Sequence, residues 1–512
     1  MSACRYRELA WLCLAVALPL RLWFFAGFGL GDDPNESFSL MWFAERLRLN
    51  PDDFLHYRVV NIVIRGLCYR WFGIGELPFI LPVLAAALAT HAAGLLLADE
   101  LMGARAAFLT SLLFLVTPYE TLASTANAPD YFHAFFGTAA AWGVARGVRR
   151  DRARPMALAA VSVALGFMSR VSTLLLLPVL ALACVLSAAR WRRWLVFWGT
   201  FAALLALGCV ADWLWSGSPV RWFVFNSAGG LDMTGIVGIT LRVYPRYLFL
   251  FDDFGHPMFA LSGWLAAVGT LLAAVRLVHG RAGVAEAAVL LGFIVFGGLV
   301  EFLPHRATVT AYWSHPRIFR YLAQLAPALY VCGAYLLDRA WTWRPAVGAA
   351  LVALVALAGL AATPAVAEPL RDANRDSRAL LAFLQRHEVW PGDPPMTLHT
   401  DDWRVAQIWS RYPGVARAWR LVGVPPDSDQ RKVAFLAGVT DGLIVTGGAS
   451  LPWYSGPGLI VSLKPLPFAV PPSWHLVWEL PGAETPWRLE PLRVWLVQPA
   501  SGADARPAGS LY

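Results

Sequence analysis

Apolar runs, broken by short charged or proline-marked stretches, fill residues 9–363. A helix needs about 20 such residues to cross a bilayer, and fewer where it is broken or half-buried in protein. On that measure the pattern predicts about eleven membrane spans. They fall over roughly 9–30, 77–97, 106–124, 131–147, 156–169, 171–189, 194–213, 258–278, 286–303, 319–337 and 346–363. From residue 364 the pattern changes to short alternating runs punctuated by Pro, Trp and Gly. There DSRALLAFLQRHEVW has the spacing of an amphipathic helix, and TDDWRVAQIWSRY that of a helix with an acidic first turn. MTLHT, DGLIVTG, WHLVWEL and RVWLVQ read as strands. The expected architecture is an α-helical polytopic membrane domain over 1–363, followed by a mixed α/β domain outside the membrane over 364–512.

Composition supports that division. The chain is 58% hydrophobic and 15% charged, whereas a soluble protein carries about 25% charged residues. A net charge of +8 would suggest nucleic acid for a soluble chain; here the placement of the arginines matters more than their sum, and no nucleic-acid partner is expected. With Arg5 and Arg7 in the cytoplasm, Arg105, the run RGVRRDRAR at 146–154, RWRR at 190–193, Arg276 with Arg281, and Arg339 with Arg344 all fall on the cytoplasmic side. An odd number of spans then sends the C-terminus outside. Arg21 interrupts the first apolar run, and no A-x-A site precedes GDDP, so this segment reads as an uncleaved signal anchor. The six cysteines form no CxxC pair and point to neither zinc nor a disulfide framework. No internal repeat argues for an inverted-repeat transporter.

The outer connections hold the candidate chemistry. GLGDDPNES places Asp32, Asp33 and Glu36 at the mouth of the first span. The following segment, with His56, Arg58, Arg65 and Arg70 among aromatics, has the character of helices lying on the membrane. Asp130 follows Pro129 in NAPD and starts the fourth apolar run, and an ionisable residue at such a boundary is a functional candidate. A late outer loop gathers His305, Arg306, His315, Arg317 and Arg320 against the charge bias, which suits an anionic ligand. Each carboxylate also has a plainer reading as a helix cap, and the cations as side chains snorkelling to the headgroups. Asp252, Asp253 and His256 read as a cap rather than a metal site, and Asp401, Asp402 and His399 as ordinary surface. Carboxylates from two loops and cations from a third are the set glycosyl transfer needs: a base for an acceptor hydroxyl and a cation for a phosphate leaving group.

In order along the chain, GDDPNES, then HYR with YRWFGIGELPFILP, then GARAAFLTSLLFLVTPYETLASTANAPDYF, then HPRIFRYLAQLAP resemble the motifs of the GT-C superfamily of polytopic glycosyltransferases. The resemblance covers roughly 10–340 and is closest to the bacterial branch related to protein O-mannosyltransferases and to the aminoarabinose transferase. It implies a bacterial cytoplasmic-membrane enzyme that uses a polyprenyl-phosphate sugar as donor on the outer face, with a lipid, glycan or protein as acceptor. It implies that the first-loop carboxylate, Asp33 in preference to Asp32, is the base. Asp130 supports the acceptor site or a metal, and Arg317, Arg320 and Arg58 contact donor phosphate. The family's usual Asp-Glu pair is Asp-Asp here, with Glu36 three positions on. No cofactor is implied with certainty; a divalent metal is compatible with the superfamily. The rival readings are a transporter or flippase for a lipid-linked sugar, and a non-catalytic envelope-assembly subunit.

Overall fold

The computed structural model describes residues 2–25, 34–49, 58–124, 130–218, 243–250, 257–302, 304–307, 312–314, 319–386, 396–400, 415, 419–423, 429–446, 470–481 and 491–497. Helix α1 (Ala3–Trp23) begins where the Ser2 hydroxyl accepts from the Arg5 amide. Helices α2 (Pro34–Arg46) and α3 (Val59–Phe72) pack on each other, and the Arg70 guanidinium donates to the Ala44 carbonyl at 2.9 Å. Helices α4 (Glu76–Met102) and α5 (Ala104–Val116) meet at Gly103, whose φ of +98° is open to glycine and costly for other residues. Pro118 has no amide hydrogen to continue α5, so a new turn, α6 (Pro118–Ala123), starts there.

Helices α7 (Asp130–Arg150) and α8 (Ala153–Ser169) form a tight pair. A Cβ on Gly143 would lie 3.0 Å from the Ala159 Cβ, so only glycine allows this approach. A 3-10 turn (Val171–Leu175) leads into α9 (Leu176–Leu186). Then come α10 (Trp191–Ser216), α11 (Val243–Phe249), α12 (Ser262–Val278), α13 (Val284–Leu290), a π-helical turn (Leu291–Phe296) and α14 (Gly297–Phe302). A short antiparallel hairpin, β1 (Pro304–Ala307) with β2 (Tyr312–Ser314), precedes a second 3-10 turn (Phe319–Gln324), α15 (Ala326–Trp343) and α16 (Pro345–Gln385).

Among the described residues, four helical stretches are long and apolar enough to cross a bilayer: Glu76–Met102, Trp191–Leu214, Val284–Glu301 and Pro345–Glu368. The apolar helices Ala104–Val116, Ala153–Ser169, Ser172–Leu186 and Ser262–Val278 are shorter. Trp11, Leu12, Trp213, Leu214, Leu271 and Leu357 stand exposed on the bundle, as faces covered by lipid would. Expected spans 106–124 and 319–337 are each broken, the first at Thr117 and the second by the 3-10 turn that ends at Gln324.

Helix α16 crosses the expected boundary at 363–364 without a break. Pro364 and Pro369 do not end it, because its two halves are packed in different cores: Val366 and Ala367 in the bundle, Leu380 and Leu384 in the sheet domain. DSRALLAFLQ is therefore the end of this helix, not a separate one. Beyond it lie β3 (Met396–Thr400), β4 (Trp419–Gly423), α17 (Asp429–Ala437), β5 (Gly442–Thr446), β6 (Trp474–Leu480) and β7 (Leu492–Val497). Their order is β4-β3-β5-β7-β6, parallel across β4-β3-β5 and antiparallel across β5-β7-β6. The four expected strands form; β4 was not legible, and the expected helix in TDDWRVAQIWSRY lies outside the described residues.

The sheet shares one core with the first connection of the bundle. Leu398, Leu443, Val445 and Val494 pack in one cluster with Phe43 of α2, Ile62 and Tyr69 of α3, and Phe79 of α4. The Trp419 indole donates to the Leu384 carbonyl at 3.1 Å. At the opposite end of the bundle, ion pairs hold the register: Arg150–Glu100 at 2.9 Å, Arg105–Asp338 at 2.6 Å, and Glu286 with Arg276 and Arg339 at 2.9 Å each. The Arg150–Glu100 pair shows that α4 and α7 run parallel, so the start of α7 lies at the end of the bundle nearest the sheet domain.

His399, expected at the surface, sits buried on the interior strand β3, with Phe435 edge-on and Nε2 3.3 Å from the Asp441 carbonyl. Burial pushes its imidazole below the ordinary range. Stability is then full above the ordinary imidazole pKa and is lost as pH falls below it, because the unfolded chain takes up the proton first. The melting temperature of the purified protein should fall between about pH 7 and about pH 5, and His399→Gln should flatten that fall. An unchanged slope in the variant would remove His399 from the cause.

Candidate functional site

The first turn of α7 collects buried polar groups around its start. Asp130 is fully buried, and its carboxylate is ion-paired with Arg170, which caps the C-terminal end of α8. The helix N-terminus favours a carboxylate at that position. The next residue, Tyr131, turns the other way and donates its phenol to Glu120 at 3.0 Å. Glu120 also accepts from Tyr330 at 3.1 Å and from Arg21 at 3.5 Å. Glu120 and Arg21 are each 1% exposed, so this network joins α1, α6, α7 and α15 away from water.

One turn further into α7, His133 lines an apolar cavity of about 280 Å³ together with Thr173 and Gln324. Thr173 stands three residues after Arg170, its amide donating to the Arg170 carbonyl at 3.1 Å. The site thus has two polar layers, Asp130–Arg170 above and His133, Thr173 and Gln324 below. The remaining lining is almost wholly apolar and follows α7 through Val144 and Val148 to Arg149. The π-helical turn contributes Leu291, Gly292 and Phe296 to the opposite wall. Single π turns inside α-helices often mark functional sites.

The expected site residues fall in several places. Asp130 lies one turn before His133 on α7 and does not itself line the cavity. Arg320 lies in the 3-10 turn that ends at Gln324 and packs against α7, so its backbone is brought to the same region. Arg58 is buried at the start of α3, and α3 packs on α4 and α8. Glu36 lies in the first turn of α2, and Arg306 lies on β1 opposite Trp313. Asp32, Asp33, His56, His315 and Arg317 lie outside the described residues, as do Asp252, Asp253 and His256. Among the described residues, no three His, Cys, Asp or Glu side chains gather as a metal site.

Sequence reasoning did not select Arg170, Glu120, Tyr131, His133 or Arg65. Arg65 is fully buried, with its guanidinium 3.9 Å from the centre of the Phe79 ring and 3.4 Å from the Asn61 side-chain oxygen. The signal was available for two members of the network: Arg21 and Glu120 each interrupt an apolar run, where a charge needs a partner. Nothing local in the sequence identified the tyrosines as that partner's supports.

Residues 60–215 match the family model described as dolichyl-phosphate-mannose-protein mannosyltransferase. No curated protein matches the sequence. Among solved structures, the chain is similar to ArnT from Cupriavidus metallidurans bound to undecaprenyl phosphate. The TM-score is 0.58 at 16% identity, covering 94% of this chain and 97% of that one. It is also similar to the archaeal oligosaccharyltransferase AglB from Archaeoglobus fulgidus, in complex with an inhibitory peptide and a dolichol-phosphate. There the TM-score is 0.52 at 13% identity, covering 86% of this chain and 69% of that one. The chain has the GT-C fold of membrane glycosyltransferases.

Removing one partner of a buried ion pair leaves an uncompensated charge and costs about 3–5 kcal/mol, whereas replacing both by neutral groups costs less. Arg170→Leu should therefore destabilise the protein more than Arg170→Leu combined with Asp130→Asn. Thermal unfolding of the two single variants and the double in detergent measures this coupling; additive losses would show that the pair is not a unit.

Proposed function

We propose that this GT-C chain moves a sugar from a polyprenyl-phosphate donor to an acceptor hydroxyl at the outer face of a bacterial cytoplasmic membrane. The observation that carries the reading is the cavity along α7, with His133, Thr173 and Gln324 at one end and a largely apolar lining from there to Arg149. From His133 to Arg149, α7 rises about 24 Å at its regular pitch. The hydrocarbon core is about 30 Å thick, so one phospholipid chain reaches about half of it. A groove of this length suits a lipid tail longer than one leaflet, with its head beside Asp130 and Arg170. The lipid phosphates named with ArnT and AglB belong to the same ligand class.

The membrane arrangement we assign has eleven crossings: α1, α4, α5, α7, α8, α9, α10, α12, α13 with α14, α15 and α16. The N-terminus is cytoplasmic, residues 1–363 form the catalytic unit, and 364–512 form the outer domain that α16 carries. The arginine-rich ends near Arg150, Arg193, Arg276 and Arg339 then face the cytoplasm, as the positive-inside rule requires. The Asp130 end faces outward.

The reaction is a single displacement. The acceptor oxygen bonds to the anomeric carbon as the bond from that carbon to the phosphate oxygen breaks, inverting the configuration. The acceptor proton passes to a first-loop carboxylate, Asp33 in preference to Asp32 or Glu36. The leaving lipid phosphate carries away the electron pair, and arginines stabilise its charge. Arg58, Arg306, Arg317 and Arg320, with His56 and His315, are the sequence candidates for that task; Arg170 joins them from its place beside Asp130. Asp130 holds Arg170 in place and orients the acceptor side.

Purified wild type should release label from at least one radiolabelled polyprenyl-phosphate sugar to a membrane extract. Asp33→Asn should slow that release by about 10²–10⁴-fold without loss of lipid binding. Full turnover in Asp33→Asn would move the base to Asp32, Glu36 or Asp130. Saturable lipid binding with no transfer from any donor would instead favour a transporter or an assembly subunit.

A further inference from the structure

The lower polar layer of the cavity has a chemistry of its own. His133 is 2% exposed and Thr173 is 4% exposed. Neither ring nitrogen of His133, nor the Thr173 hydroxyl, nor the Gln324 side-chain oxygen has a hydrogen-bond partner. Gln324 stands beside His133 without a bond of good geometry between them. A buried polar atom left unsatisfied costs about 1–3 kcal/mol. Three such side chains converge on one end of a largely apolar cavity, each from a different segment: α7, the turn after α8, and the turn before α15. Packing alone would be served better by Leu, Val and Leu.

We infer that His133, Thr173 and Gln324 form a collar that hydrogen-bonds the phosphate end of the lipid and selects a phosphorylated polyprenol over the free alcohol. The inference rests on the proposed donor site and deepens it. The collar lies on the tail side of the Asp130–Arg170 pair, so the lipid's own head atoms reach it before the sugar does. An imidazole N–H and a hydroxyl are donors that turn toward phosphate oxygens without adding a charge of their own, and the Gln324 carboxamide, whose oxygen is its unpartnered atom, presents an N–H when it turns over. Hydrogen bonds to an ionised acceptor are about twice as strong as neutral ones. A free polyprenol offers one hydroxyl and engages only part of the collar. His133 is therefore a specificity residue for the head of the lipid, not a proton carrier for the reaction.

The test compares binding of undecaprenyl phosphate and undecaprenol to the full-length protein in nanodiscs, for wild type, His133→Leu, His133→Gln and the triple variant His133→Leu, Thr173→Val, Gln324→Leu. Wild type should favour the phosphate. The triple variant should lose about tenfold or more of its phosphate affinity, as loss of a hydrogen bond to a charged group predicts, and lose less of its alcohol affinity, so that the preference collapses. His133→Gln, which retains a donor, should keep part of the preference. Without lipid, His133→Leu should melt no lower than wild type, since it removes a buried group with no partner. A preference that survives in the triple variant would overturn the inference and leave a collar that holds only water. Lower melting of lipid-free His133→Leu would also overturn it, making His133 a structural residue. Wild type that binds neither lipid would sink the donor-site reading along with it, whereas intact phosphate preference without sugar transfer would sink only the transferase reading.

Discussion

A charge inside a bilayer-sized apolar bundle has to be paired where it lies, and the pairing of Glu120 organises the end of this protein where α7 begins. Its carboxylate takes two tyrosine hydroxyls and one arginine, from three other helices, two of them distant in sequence. Those helices cannot slide past one another without stranding a charge at about 1% exposure. Tyr131 belongs to this network and Asp130 to the neighbouring ion pair, so one helical turn is fixed from both sides. The position of Asp130 therefore follows from a contact that Asp130 does not itself make.

The other end of the bundle is held in the same currency but nearer water. Arg150–Glu100, Arg105–Asp338 and the Glu286 cluster join neighbouring helices close to their ends. Between the two charged ends there is little but apolar packing, close where Gly143 meets Ala159 and loose along the cavity. The contrast matters: tight packing on the α8 side of α7 leaves the opposite side free to line a groove. The π-helical turn at Leu291–Phe296 contributes to the far wall of that groove, where a regular helix would present a different face.

The sheet is coupled to the bundle by more than a linker. Helix α16 runs from one core into the other, and the sheet packs on α2 and α3, the helices that follow the acidic GDDPNES motif. A change in the sheet core, around Leu398 or Val445, would reach α2 and α3 through shared side-chain contacts.

Much of this was legible in the residues alone. Apolar runs of bilayer length, arginines on alternate connections and the switch to period-two patterning after 364 specify a helical membrane unit with a sheet-bearing tail. The ordered motifs pointed to the GT-C fold, and NAPD singled out Asp130. These are local signals, carried by neighbours in the chain. Partners are not local: Arg21 and Glu120 are conspicuous in sequence, but only the folded bundle brings them together with Tyr131 and Tyr330. The same holds for Arg170 beside Asp130, for the collar of His133, Thr173 and Gln324, and for β4, which takes its place through pairing with β3 rather than through a pattern of its own. Helix α16 makes the point in the other direction, because composition changes at 364 while packing on both sides carries the helix through two prolines. Sequence determined which segments leave water and which charges must find partners; tertiary structure decided which partners they found, because in a low-dielectric interior that choice depends on helices being brought side by side.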